Sequence, residues 1–367
     1  MFLRYIHSFR ALAIIFIVAA HCIALFDWAS IPWQRHLVLS LIPNGTVFFV
    51  FIAGFLFQHL SYKFEYRRYL KSKLQNVMLP YVIVSLPMIA VQALTQSGSF
   101  DPAYIHHWPT VAQNVAWSLL TGSHTQLHLW FIPMIAIFYL LAPLLLWIDR
   151  DGRPYYLLPL LLTVTVCVHR PSNFDNIWQS CAYYLPVYVY GMWFSRHRER
   201  LLAWHDRWLP ALFASVAGLV WLEVAYLHQA GYIVSASMFS TEHGIVDTNA
   251  MQKLLLCGVL LVVLRRLGEG LHGKLRPVAD ASFAIYFLHL YFVKGFANLM
   301  GGQTSPGAGL WQYWLALAVV VTVCVGYPWF GTQVMRRLSR YVVGAQPAAN
   351  TWAASGIGAQ QSAASVG

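Results

Sequence analysis

Charged side chains are scarce in this sequence. They account for 10% of its 367 residues, whereas 58% are hydrophobic. A soluble domain carries about 25% charged residues, so this chain has too little polar surface to cover itself in water. The scarcity excludes an ordinary soluble enzyme. Together with the long apolar runs between clusters of charge, it predicts an all-α, polytopic integral membrane protein.

Several familiar kinds of site are missing as well. The five cysteines show no CxxC spacing and no obvious pairing, which argues against a disulfide framework or a zinc site, and no metal is expected. No paired carboxylates, glycine-rich phosphate loop or Ser-His-Asp pattern stands out. Any chemistry therefore has to come from a few polar residues inside apolar segments.

Ten apolar segments are each close to the ~20 residues that an α-helix needs to cross a bilayer. Their approximate limits are 9–27, 38–58, 76–96, 127–148, 155–169, 180–195, 208–228, 250–266, 279–298 and 311–331. We interpret residues 1–343 as one transmembrane domain. The Ala-, Gly-, Ser- and Gln-rich segment 344–367 is typical of a disordered cytoplasmic tail.

The distribution of Lys and Arg predicts the orientation. If the N-terminus is cytoplasmic, 20 of the 24 basic residues fall in inner segments, and the outer side keeps Arg35, Arg170, Lys253 and Lys294. Such a bias indicates that both termini are cytoplasmic. The net charge of +11 is then explained by topology and by attraction to anionic lipid headgroups, and a nucleic-acid partner is not expected.

Arg10 and His21 lie eleven residues apart in the first predicted span. Eleven helical steps of 100° come within about 20° of three full turns, so both side chains face the same way, roughly 16 Å apart along the axis. Ionisable groups are costly in hydrocarbon, so a histidine inside the membrane suggests function. The alternatives are an arginine that extends its head group to the interface and a core histidine that bonds two helices.

These residues resemble a known family. The first span reads Ser-Phe-Arg-Ala-Leu-Ala-Ile from Ser8, with ten residues between Arg10 and His21, and looks like the first-helix signature of the membrane-bound acyltransferase-3 family. The segment from Asn44 to Phe55 resembles the family's Phe-Phe-x-x-Ser-Gly-Phe motif, with Ala53 where serine is usual.

Three later segments are similar to the same family. The basic loop that ends in Met-Leu-Pro-Tyr81 resembles Arg-x-x-Arg-Ile-x-Pro, with Asn76 in place of the second arginine. His128-Leu-Trp-Phe matches its His-Leu-Trp-Phe, and the segment from Ser282 to His289 is similar to its Ser-x-x-Ile-Tyr-x-x-His motif. The resemblance covers residues 8 to about 331 in order.

The resemblance implies transfer of an acyl group, usually acetyl from acetyl-CoA, to a hydroxyl of an exported polysaccharide or a lipid-linked saccharide at the bacterial cytoplasmic membrane. His21 and His289 are the implied catalytic residues. The implied donor-binding residues are Arg10, Lys71 and Lys73, whose cations suit phosphates at the inner surface. The implied acceptor-binding residues are Asn44, His128, Trp130 and Tyr286. Glu223 is added to this set from its position in the outer half of the seventh apolar segment, where it could hold a catalytic histidine or a cation.

Several alternatives stay open at this point. His21 is expected to act as a general base toward a sugar hydroxyl, or else to form an acyl-imidazole intermediate. Interhelical hydrogen bonds explain Asn44, Tyr286 and His289 equally well, and an interfacial aromatic belt explains Trp130. At the level of the whole chain, the alternatives are a saccharide or lipid transporter or flippase, and a non-catalytic subunit of an export machine.

Overall fold

The computed structural model describes residues 3–28, 31–103, 107–122, 128–172, 176–227, 232–240, 244–299 and 310–334, with side chains described as far as residue 326. The chain is built from α-helices, as predicted. In the described part, the only strand pairing joins β1 (Arg170–Pro171) to β2 (Val234–Ser235), which run parallel. The predicted tail 344–367 lies outside the described residues.

The described part of the chain contains fourteen α-helices. In chain order they are α1 (Arg4–Cys22), α2 (Pro32–Leu41), α3 (Thr46–His59), α4 (Tyr66–Lys73), α5 (Leu79–Thr95), α6 (Val111–Thr121), α7 (Phe131–Leu140), α8 (Ala142–Asp151), α9 (Leu158–Cys167), α10 (Ile177–Arg196), α11 (Arg198–Arg207), α12 (Leu209–Trp221), α13 (Thr248–Leu299) and α14 (Leu310–Val334). Single π-helical turns, Leu74–Met78 and Leu222–Tyr226, precede α5 and extend α12.

Four helical stretches of the described chain are long and apolar enough to cross a bilayer: Arg4–Leu25, Pro32–His59, Tyr66–Phe100 and Leu209–Tyr226. A fifth is obtained if α7 and α8, which bend by 58° at Leu141, count as one broken span. Pro143 explains this bend, because it lacks the amide that would continue the α7 hydrogen-bond ladder. Helix also covers the other predicted spans, but the count of ten and the cytoplasmic termini remain predictions.

The core is assembled around two helix contacts. α1 packs along the second half of α13, and α3 packs against α10. α13 itself contains a break at Gly268, whose φ of 63° and ψ of −146° lie in a region that is essentially restricted to glycine. The break separates a first half that begins at Thr248 from a second half that carries Tyr286 and His289 along α1.

Glycines set the distance between α3 and α10. A Cβ on Gly54 would overlap the backbone carbonyl of Tyr188, and a Cβ on Gly191 would overlap the carbonyl of Phe51. Both glycines are buried. Small residues at such crossings let two membrane helices approach closely. This contact gives a structural reason for the glycine in the Gly-Phe segment at residues 54–55.

We expect Gly191→Ala to lower the free energy of unfolding by about 1–3 kcal/mol, because the added methyl forces α3 and α10 apart. The matched control is Gly218→Ala in α12, where a Cβ would meet no atom within 4 Å. That change should be neutral or stabilising by up to about 1 kcal/mol, since alanine favours helix. Thermal unfolding of the purified chain in detergent measures both. Equal midpoints for the two variants would show that the α3–α10 contact is not glycine-dependent.

Candidate functional site

Three histidine rings meet where α1 ends. His21, in the last turn of α1, lies with its ring centroid 5.1 Å from that of His289 in α13 and 6.5 Å from that of His128, which lies just before α7. The His128 and His289 centroids are 4.9 Å apart. We call these three residues the histidine cluster. The structure thus brings together the ends of three motifs that are far apart in the sequence.

His289 is held in one orientation by its own helix. Its Nδ1–H donates to the carbonyl oxygens of Tyr286 at 2.8 Å and Ile285 at 3.0 Å. These bonds put the ring proton on Nδ1 and leave Nε2 as a lone-pair acceptor. Nε2 is buried and has no hydrogen-bond partner among the described residues. His289 therefore offers a fixed acceptor beside His21.

His128 and Tyr286 connect the start of α7 to α13, and Trp130 connects it to α10. The hydroxyl of Tyr286 donates to the carbonyl oxygen of His128 at 2.6 Å, and the Tyr286 and His128 rings lie 5.7 Å apart. Trp130 stacks on the ring of Tyr184 with a centroid distance of 5.6 Å. Of the five predicted acceptor residues, these three line one cavity with His21, and the Tyr286 hydroxyl is engaged in a hydrogen bond between helices.

A cavity of about 670 Å³ opens beside His21. Its wall includes His21, partly exposed, whereas His289 lies behind it and is fully buried. Part of the wall is aliphatic and includes Ile17, Ile23 and Leu39. Its aromatic and polar members include Trp28, Arg35, Asn44, Thr46, Phe49, His128, Trp130, Phe131, Arg170, Ser172, Tyr232 and Tyr286. A cavity of this size suits a small organic ligand, and its aromatic rings suit the faces of sugar rings.

Asn44 lies in the wall of this cavity, at the turn before α3. Its side-chain NH₂ donates to the hydroxyl oxygen of Tyr183 at 2.7 Å, and its side-chain oxygen accepts from Tyr184 at 3.4 Å. Tyr183 in turn donates to a carboxylate oxygen of Asp247 at 3.2 Å. The φ of Asn44 is 67°, in the left-handed region that asparagine tolerates better than most residues. Asn44 therefore anchors the turn and one side of the cavity.

Arg170 belongs to the same cavity and was not among the predicted site residues. It is 4% exposed, and its guanidinium carbon lies 4.0 Å from the ring centroid of Tyr232 and 5.3 Å from that of Trp130. Such cation–π contacts fix the orientation of a guanidinium. In the sequence, Arg170 was only one of four outer basic residues. Its position next to His169 at the edge of an apolar segment was the one available signal.

Glu223 lies elsewhere. It accepts a hydrogen bond from the Ser40 hydroxyl, and the Ser40 carbonyl oxygen accepts from Asn249 at 2.8 Å and from Lys253 at 3.2 Å. Glu223 and Lys253 are both fully buried. We call Ser40, Glu223, Asn249, Gln252 and Lys253 the Ser40 network. It joins α2, α12 and α13, and Glu223 does not line the cavity that contains His21.

Arg10 faces the second half of α13, as His21 does. One of its terminal nitrogens donates to the carbonyl oxygen of Ala279 at 2.6 Å, and its Nε–H is buried without a hydrogen-bond partner among the described residues. Asp280, next along α13, bonds to Nε2 of His7 at 3.0 Å. Arg10 and His21 thus lie along the same side of α1, as the helical spacing predicts, but Arg10 does not line the 670 Å³ cavity.

The two predicted lysines lie on α4. The Lys73 ammonium is 5.2 Å from the ring centroid of Tyr69 and 5.0 Å from that of Tyr139, and Lys71 is exposed. α4 packs against α7, whereas Arg10 packs against α13. Arg10, Lys71 and Lys73 offer N–H donors of the kind that phosphates require. Within the described chain, no three His, Cys, Asp or Glu side chains are arranged to hold a metal ion.

The chain was compared with protein families, curated proteins and solved structures. A protein-family model described as an acyltransferase domain matches residues 3–328. No curated protein matches the chain, and no solved structure matches it. The matched residues contain Arg10, the histidine cluster and every described residue of the cavity wall.

Proposed function

This chain belongs to the acyltransferase-3 family and is a membrane acyltransferase, and we propose that it transfers an acyl group from cytoplasmic acyl-CoA to a saccharide hydroxyl. The proposed acyl group is acetyl, and the proposed acceptor is an exported polysaccharide or a lipid-linked saccharide. The location would be the bacterial cytoplasmic membrane, crossed by ten helices with both termini inside. Family membership favours this activity over that of a transporter or flippase.

One observation carries the proposal. His21 is in the wall of a 670 Å³ cavity, and the buried His289 lies directly behind it. A neutral imidazole that faces a cavity and is backed by an acceptor suits the removal of a proton from a hydroxyl. The aromatic side chains Trp28, Trp130 and Tyr232 in the same wall suit a carbohydrate.

The acyl donor supplies a thioester carbonyl that an oxygen nucleophile can attack. His21 accepts the proton of the acceptor hydroxyl as that oxygen bonds to the carbonyl carbon. The protonated ring then returns the proton to the sulfur as the carbon–sulfur bond breaks, so the products are an ester and a free thiol. His289, whose ring centroid lies 5.1 Å from that of His21 and whose Nε2 is an acceptor, would stabilise the protonated form of His21. In the alternative route, His21 attacks the thioester carbonyl itself and releases the thiol. The acyl-imidazole that forms then passes the acyl group to the acceptor hydroxyl.

The donor phosphates would be held at the opposite end of α1. The Nε–H of Arg10 has no hydrogen-bond partner among the described residues, which supports a role in binding an anion there. Lys71, exposed on α4, and Lys73 add positive charge to the same proposed side of the membrane. Asn44, His128, Trp130 and Tyr286 would shape the acceptor site, with Arg170 as an additional residue of its wall. Glu223, in the Ser40 network, would act on this site only through the packing of α2 and α13.

The proposal is tested with radiolabelled acetyl-CoA in membranes that contain the chain, and with membranes that lack it as the control. We expect label in the host's exopolysaccharide or lipid-linked saccharide fraction, and we expect mild alkali to release it, because the product is an ester. Saccharide that crosses the membrane without becoming labelled would support the transporter instead. Label from succinyl-CoA but not from acetyl-CoA would support acyl transfer to the saccharide, with succinyl rather than acetyl as the transferred group.

A further inference from the structure

A second cavity lies at the end of the molecule where α3 ends and α10 passes into α11. Its volume is about 520 Å³. It is lined by Gln58, His59, Ser61 and Tyr62 on one side and by residues 195–200 on the other. We call it the arginine cavity. None of the residues assigned to donor, acceptor or catalysis above lines it, so the acyl-transfer site does not account for it.

The wall of the arginine cavity is strongly basic. It contains Arg196, Arg198 and Arg200 against a single acidic residue, Glu199. Nη1 of Arg196 lies 3.4 Å from Oδ1 of Asp149, an ion pair that partly neutralises the charge of Arg196. Arg198 pairs with Glu199 at 3.1 Å, but the Glu199 side chain is 76% exposed, and an exposed pair of this kind is weak. Arg200 is exposed and forms no ion pair with any described residue. Positive charge therefore remains available to a ligand.

Uncharged donors face the same space. Ser195 is 3% exposed, lines the cavity and has an Oγ without a hydrogen-bond partner in the described part of the chain. α11 begins at Arg198, and no side chain of the described residues caps its N-terminus, so its first-turn amides are open to an acceptor. Nδ1 of His59 accepts from Arg198 at 3.2 Å, which fixes the Arg198 guanidinium at the edge of the cavity.

We infer that the arginine cavity binds a phosphate ester. The combination of guanidinium groups, a hydroxyl and an uncapped helix N-terminus matches a ligand with several oxygen acceptors and negative charge. The volume falls within the ~300–1,000 Å³ typical of small-ligand pockets. Two sources share this chemistry: the 3′-phosphorylated nucleotide end of a coenzyme A ester and the headgroup of an anionic phospholipid. The inference does not require that the chain transfers acetyl groups.

The test uses the full-length chain in nanodiscs of phosphatidylcholine alone. One arm measures binding of adenosine 3′,5′-bisphosphate, and the other measures binding of short-chain phosphatidylglycerol. We expect saturable binding of at least one probe. Arg198→Gln combined with Arg200→Gln should weaken it at least about tenfold, and Ser195→Ala about fivefold, given the usual strength of charged and neutral hydrogen bonds. Arg67→Gln, an exposed arginine of α4 outside the cavity wall, should leave binding unchanged.

Each outcome decides a point. Binding of the bisphosphate alone assigns the cavity to a nucleotide, and binding of the lipid alone assigns it to a headgroup. The inference is overturned if neither probe binds, or if the double variant binds like the wild type. It is also overturned if bisphosphate binding is lost in Arg10→Gln but retained in the double variant. If the glutamine variants do not fold, Arg198→Lys replaces them in the binding test. It keeps the positive charge but loses the planar guanidinium, so weaker probe binding is again expected.

Discussion

Replacement of His21 by alanine is expected to reduce acyl transfer by about 10²–10⁴-fold, the range that a general base contributes. The ring faces the 670 Å³ cavity and is backed by the acceptor Nε2 of His289. Alanine removes one of the two imidazoles that line the cavity among the described residues, and the other, His128, has its ring centroid 6.5 Å from that of His21. The measurement is the initial rate of label transfer from acetyl-CoA, in membranes with matched protein levels.

His36→Ala is the matched control. His36 lies on α2 and does not line the cavity, so its loss should leave the rate within about twofold of the wild type if His21 alone carries the proton transfer. A His21→Ala variant that labels as fast as the wild type would remove His21 from the chemistry. An equal loss in both histidine variants would point to a general effect on folding and would be visible in the thermal unfolding midpoint.

Replacement of Lys253 by methionine is expected to destabilise the fold by about 3–5 kcal/mol, the usual effect of removing one partner from a buried charged network. Lys253 is fully buried and donates to the carbonyl oxygens of Leu41 at 2.7 Å and Ser40 at 3.2 Å. Its loss leaves both carbonyls without this donor and leaves the buried Glu223 without a nearby cation. Equilibrium unfolding of the purified chain in detergent gives the change directly.

A second replacement separates charge from packing. If Glu223→Gln is added to Lys253→Met, the uncompensated carboxylate disappears, so the double variant should recover at least about 1 kcal/mol of the loss. Lys294→Met, an exposed position on the same helix, should change stability by no more than about 0.5 kcal/mol. A double variant that is less stable than Lys253→Met would show that Glu223 stabilises the fold independently of Lys253.

The helical fold was predictable because hydropathy and charge act locally along the chain. The first, second, third and seventh predicted spans each overlap one of the four apolar helical stretches. The break between α7 and α8 was missed, although Pro143 is visible in the sequence, because the apolar run continues through it. The break in α13 at Gly268 falls in the predicted inner loop between two spans, where the sequence predicted no continuous helix.

The site was predictable in part. The periodicity of α1 places Arg10 and His21 on one side, and the motifs then supplied His128 and His289, which the structure brings within 6.5 Å of His21 or of each other. Glu223 lies in a different network because the direction it faces depends on α2 and α13, which are distant in the sequence. Arg170 was missed for the same reason: its place in the cavity depends on the pairing of β1 with β2, 64 residues away.

The turn at Asn44 restricts how this sequence can vary. The left-handed backbone at this position excludes most residues, and the bridge between Tyr183 and Tyr184 needs a donor and an acceptor on one short side chain. Glycine satisfies the backbone and removes the bridge. Aspartate keeps the backbone but sets a second carboxylate against Tyr183, whose hydroxyl already donates to Asp247. Neither substitution satisfies both the left-handed backbone and the hydrogen bonds to Tyr183 and Tyr184. We therefore expect a different residue at position 44 only together with compensating substitutions in α10.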